Sequence, residues 1–214
     1  MSSARDEILG RVRAAIDGAP SPLEPEKLIY RRAGTLDREA RVALFCERAS
    51  EYRATVTRCE PAEIAALVDG ICAERGIERL FVSALEDWDV HPPGVELVPD
   101  DRLSVGGLDA GPGVLTTCAV AIAETGTVVL DGGPGQGRRA LTLVPDLHVC
   151  TVPADRIVEL VPEAVARLAS AGRAGRALTF VSGPSATADI EFDRVEGVHG
   201  PRELVLLVVG EAQS

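Results

Sequence analysis

The sequence is poor in aromatic residues, has a single lysine, and contains neither closely spaced cysteines nor a long apolar run. One Trp, two Tyr and four Phe are spread over 214 residues. The core must therefore be aliphatic, which favours a sheet covered by helices. Lys27 is the only lysine, so every other fixed positive charge is an arginine. That argues against Schiff-base and Walker-type lysine chemistry. The cysteines, Cys46, Cys59, Cys72, Cys118 and Cys150, form no CxxC. Zinc ribbons and iron-sulfur clusters take closely spaced thiols from one loop, so no metal site is expected in this chain, and reduced, buried thiols are. The longest aliphatic stretch, residues 204–209, is too short to span a membrane. Arg5, Asp6, Glu7, Arg11 and Arg13 break up any leader-like run, which sets the expectation of a cytoplasmic protein. Acidic residues outnumber basic ones 33 to 22, giving a net charge of -11, and so acidic a protein repels nucleic acid.

What is present fits an ordinary globular chain. Hydrophobic residues make up 46% and charged residues 26%, far from the composition of a disordered chain. A chain of this length buries about 70% of the surface it exposes unfolded, so it folds without disulfide or metal staples.

Residues 1–50 read as a helical extension packing on the main body. One helix carries Ile8, Val12, Ala15 and Ile16 on its apolar face and ends before Gly18 and Pro20. A second, over residues 36–52, would use Leu36, Ala40, Ala43, Leu44 and Cys46. Residues 51–214 read as an α/β domain. Strands are predicted at 54–59, 80–83, 95–98 and 147–152, and residues 119–123 and 127–131 flank a tight turn. A helix opens at Pro61 with Ile64, Leu67, Val68, Ile71 and Cys72 on one face. Another is expected from Ala154, kinked or restarted at Pro162. The runs 178–182 and 204–209 are apolar on both faces, which places both in the buried middle of a mostly parallel sheet.

Four segments carry candidate chemistry. Gly132 to Gly137, followed by Arg138 and Arg139, matches neither the Walker loop nor the dinucleotide pattern. It reads either as a turn whose guanidinium groups grip a carboxylate or phosphate, or as a surface loop with solvated arginines. In the turn Glu124-Thr125-Gly126-Thr127, the hydroxyls can donate to an anion and Gly126 admits a positive φ; a plain β-turn is the other reading. Ser182-Gly183-Pro184-Ser185, with Thr187, follows a strand and suits an anionic ligand, with Asp189 and Glu191 as acid/base candidates near the same strand end. His199, flanked by glycines, is the histidine best placed for proton transfer; His148 lies within a strand and reads as a core residue.

The segments AIAETGTVVL (121–130), SGPSATADIE (182–191) and GVHGP (197–201), in that order, resemble the lactate-utilization (LUD) domain family. Arg138 and Pro145 to His148 also look like family features, and Ala186 departs from a usually basic position. The resemblance implies a fold like the NagB/RpiA/CoA-transferase group. It also implies a part in oxidising L-lactate to pyruvate beside partner subunits that carry the iron-sulfur clusters, with no cofactor expected on this chain. In that reading Arg138 grips a small anion, Ser182, Ser185 and Thr187 donate to it, and Glu124 or His199 handles a proton. The alternatives are a free-standing CoA-transferase-like or sugar-phosphate-isomerase-like enzyme using Glu124, and a non-catalytic assembly protein.

Overall fold

The structure is a computed structural model that describes residues 4–17, 30–101, 103–109, 111–187, 195–196 and 200–210. The chain divides into two compact units, Met1–Tyr30 and Arg31–Ser214. The first contains helix α1 (Ala4–Ile16), whose described residues are all unburied. The second helix, α2 (Arg38–Glu51), belongs to the second unit. The division therefore falls some twenty residues earlier than the boundary read from the sequence.

The second unit is organised by a six-stranded parallel sheet made of β1 (Thr55–Cys59), β2 (Arg79–Val82), β3 (Glu96–Pro99), β4 (Gly113–Thr117), β7 (Leu147–Pro153) and β12 (Glu203–Val209). Their spatial order is β1-β12-β7-β4-β2-β3. The run 204–209 does occupy the middle. Leu204, Leu206 and Val208 face one core with Val42, Phe45 and Ala49 of α2. Val205 and Leu207 face another with Ile64, Val68 and Cys72 of α3 (Ile64–Ala73). This two-residue alternation under a helix on each side is what a doubly covered strand requires. An expected α/β fold with a mostly parallel sheet, flanking helices and a helical N-terminus is thus what the chain has.

Hydrogen bonds fix the helix starts. The Asp37 carboxylate accepts from the Ala40 amide at 2.8 Å and opens α2. Glu63 accepts from the Glu60 amide at 2.8 Å at the turn leading into α3. The buried face of α2 is Val42, Phe45 and Ala49; Ala43, expected inside, is exposed. Several small apolar residues lie all around this helix, and the large Phe45 decides which stripe turns inward.

A second sheet has the order β8-β5-β6-β9, built from β5 (Val120–Ile122), β6 (Thr127–Leu130), β8 (Ile157–Val158) and β9 (Thr179–Val181). The first two form the expected hairpin. Two expectations are corrected here. Ile157 and Val158, placed in a helix from Ala154, form a strand beside β5, and the helix α5 (Val161–Arg173) begins only at Val161 with Pro162 in its first turn. The run 178–182 is not central: β9 is the outer strand of this smaller sheet, antiparallel to β6, with Phe180 half exposed. A short run of β-branched and aromatic residues makes a strand, but it does not say which sheet that strand joins.

Candidate functional site

The chain leaves β2 toward β3 on one side and β4 toward β7 on the other, so growth of the large sheet reverses between β2 and β4. Open α/β sheets bind ligands beyond the carboxyl ends of the strands at such a point. A cleft of about 570 Å³ opens there. One wall is the turn after β2, with Ser83 and Asp87; the other is the glycine run after β6.

That run is fastened to the sheet. Asp87 Oδ2 accepts from the Ser83 hydroxyl at 2.8 Å and from the Gly135 amide at 2.9 Å. The Gly135 carbonyl accepts from the Thr117 amide at 2.8 Å, and the buried Gln136 side chain accepts from the Asp131 amide at 2.7 Å. Gly135 has φ 71°, and a Cβ there would lie 2.8 Å from Thr117 Cγ2. Glycine is needed both for the left-handed turn and for the close approach.

Three guanidinium groups line the cleft. Arg138 grips Asp100 through two bonds of 2.6 and 2.9 Å. Arg176 pairs with Asp131 at 2.8 Å. Arg139 is exposed and has no ion pair or side-chain hydrogen bond among the described residues. Arg138, expected from the sequence to grip an anion, lines the cleft while bonded to Asp100.

The hydroxyl candidates gather elsewhere. Thr127 Oγ1 lies 2.7 Å from both Thr125 Oγ1 and Ser182 Oγ. These three hydroxyls line a second pocket of about 410 Å³ together with Tyr52, Val161 and Phe180. No described residue lines both of these two pockets. Gly126 supports the second pocket from behind, where its turn rests on the backbone of α2. Gly183 approaches Tyr52 with φ 138°. The Ser185 amide donates to the Pro201 carbonyl at 2.8 Å, joining two of the motif segments. Glu124 is exposed and lines neither pocket. Thr187 is described only as backbone in the short strand β10 (Ala186–Thr187), paired with β11 (Val195–Glu196). Asp189, Glu191 and His199 lie outside the described residues.

Sequence reasoning passed over Asp87, Asp131 and Arg176. The available signal was positional: Asp131 directly follows a strand and precedes the glycine run, and Asp87 lies just beyond β2. His148 Nε2 is 2.7 Å from Thr116 Oγ1, with His148 1% exposed. Next to it the Cys118 thiol, hydrogen-bonded to Cys150, holds the Cys150 thiol below its ordinary range against the opposing effect of burial, with further help from His148. The same bond keeps Cys118 protonated. His148 is thus a satisfied core residue, as its strand position suggested.

Fold and cleft together define an α/β protein with an arginine-lined cleft at the reversal point of a parallel sheet. A model of the LUD domain matches residues 42–209, and the chain belongs to that family. Lactate utilization protein C of Deinococcus radiodurans is 42% identical over 98% of this chain and 97% of its own length. Lactate utilization protein C of Oceanobacillus iheyensis is 28% identical over 73% of this chain and 67% of its own. A crystal structure of a DUF162 family protein from Deinococcus radiodurans is 37% identical, with a TM-score of 0.69 over 82% of this chain and all of that one. No helix among the described residues is long and apolar enough to cross a membrane.

Proposed function

We propose that this chain serves L-lactate utilization as the component without clusters, working beside iron-sulfur subunits that accept the two electrons released when lactate becomes pyruvate. Its own contribution is an anion-binding cleft at the reversal point of the large sheet. The observation that carries this reading is Arg139, a guanidinium with no ion pair among the described residues on a cleft whose other arginines are committed to Asp100 and Asp131. The assignment to lactate utilization is supported by the 42% identity to lactate utilization protein C of Deinococcus radiodurans, which matches nearly end to end. The electron-carrying partners are supported by the wide spacing of the five cysteines.

The alternative of turnover by the isolated chain with Glu124 as nucleophile gains no support from the two pockets described, since that carboxylate is exposed and lines neither. Two measurements test the proposal. Affinity capture of the tagged full chain from lactate-grown cells is expected to bring down a cluster-bearing partner, and deletion of its gene is expected to abolish growth on L-lactate while sparing growth on pyruvate. Normal growth of the deletion strain on lactate would refute it.

A further inference from the structure

We propose that the arginine-lined cleft takes a phosphorylated, hydroxyl-bearing ligand of nucleotide size, and that lactate is not its occupant. The inference rests on reading this cleft as the anion site of the preceding section.

Size is the first argument. Lactate has six non-hydrogen atoms; even at about 30 Å³ for each, the share of a whole water molecule in the liquid, it fills roughly 180 Å³. The cleft holds about 570 Å³. An occupant that small leaves most of the walls wet and the Arg139 guanidinium in high dielectric, where its attraction for a single carboxylate is weak. Sites of roughly 300–1,000 Å³ are those that enclose ligands several times larger.

The polarity of the walls is the second argument. The lining holds Arg138, Arg139 and Arg176 against Asp87 and Asp131. Arg138 is neutralised by Asp100 and Arg176 by Asp131, so Arg139 is the cleft arginine with no ion pair among the described residues, a donor fork that suits an anion. The cleft also offers an acceptor. Asp87 Oδ2 takes both internal hydrogen bonds, from Ser83 and Gly135, and Oδ1 takes none among the described residues. Vicinal ribose hydroxyls satisfy such a carboxylate oxygen while the phosphate oxygens meet Arg139. The run from Gly132 to Gly137 lines the same cleft.

Calorimetric titration of the full chain with ADP, 2′,3′-dideoxy-ADP, ribose 5-phosphate, inorganic phosphate and L-lactate tests this, in the native protein and in Arg139→Ala. Arg139 is exposed and has no ion pair among the described residues, so the variant is expected to fold and melt as the native protein does. ADP is expected to bind, and Arg139→Ala to weaken it tenfold or more. Loss of the two ribose hydroxyls is expected to weaken it by about tenfold, the scale of a hydrogen bond to a charged group. ADP binding that is absent or independent of Arg139 overturns the inference, and ribose 5-phosphate binding as tightly as ADP overturns the size argument. Lactate binding that depends on Arg139, with ADP inert, overturns the inference and leaves the anion-cleft reading standing. If no probe binds through Arg139, both fall.

Discussion

Replacement of Gly126 by alanine should be among the most damaging single-methyl changes in the second unit. Two separate costs meet at this residue. Its φ is 59°, and a residue with a Cβ pays about 1–2 kcal/mol in that region. In addition, a Cβ would lie 2.4 Å from the Ala49 amide nitrogen, 2.6 Å from the Arg48 carbonyl carbon and 2.8 Å from the Ala49 Cα. All three are backbone atoms of α2, so no side-chain rotation relieves the clash, and the helix or the β5–β6 turn has to move. Overpacking of that kind costs about 1–3 kcal/mol, bringing the expected loss to about 2–5 kcal/mol.

Gly76→Ala is the matched control. It has φ 64° with nothing within 4 Å of its Cβ, so it carries the backbone cost alone. Both substitutions reduce unfolded-chain entropy equally, and that term cancels in the comparison. Urea unfolding followed by far-UV circular dichroism gives the two losses. Thermal melts should show a drop of about 2–4 °C for each kcal/mol lost in a domain of this size. Equal losses for Gly126→Ala and Gly76→Ala, within about 0.5 kcal/mol, would show that the contact with α2 is not what holds this turn.

Two further predictions concern ionisable groups. Burial pushes the Glu163 carboxyl up, but hydrogen bonds from the Leu160, Gly34 and Glu159 amides, with the charge of Arg41, outweigh it and leave its pKa below the ordinary carboxylate value. A depressed folded-state pKa stabilises above the unfolded value of about 4.3, and the gain disappears as the pH falls through the folded value. Glu163→Gln should therefore cost about 1 kcal/mol at pH 7, with the gap closing below about pH 4; chemical denaturation at both pH values measures it, and an equal gap at pH 3 would contradict the assignment. Burial raises the Cys46, Cys59 and Cys72 thiols, Cys72 to about 11, and Cys118 and Cys150 are fully buried. A disulfide reagent at pH 7 should label the native protein slowly and at Cys46 alone, with all five thiols reacting in denaturant; prompt reaction of two or more native thiols would rule this packing out.

Much of the scaffold was legible in local pattern. The alternation in residues 204–209, the 3.6-residue stripe from Ile64 to Cys72 and the turn at Gly126 each specify an element from within a dozen residues. The same signals failed where a choice depended on distant chain. Residues 179–181 form a strand as expected, yet their place at the rim of the smaller sheet depends on β6, some fifty residues earlier. The buried stripe of α2 was misjudged because propensity does not rank Phe45 against the small residues around it; contact with Leu206 and Val208 does.

For the candidate site the division is similar. From the sequence alone came the aliphatic core, the absence of cluster-type thiols, the glycine run with its two arginines and the family resemblance. Tertiary structure alone decided that the hydroxyl trio of Thr125, Thr127 and Ser182 occupies one pocket and the arginines another. It also decided that Asp100, thirty-eight residues before Arg138, pairs with that arginine, while Arg139 has no ion pair among the described residues. Periodicity and turn chemistry act over a few residues and are written in the sequence. Which carboxylate reaches which guanidinium is set by strand order, because only the folded sheet brings the ends of β2, β3 and β4 together.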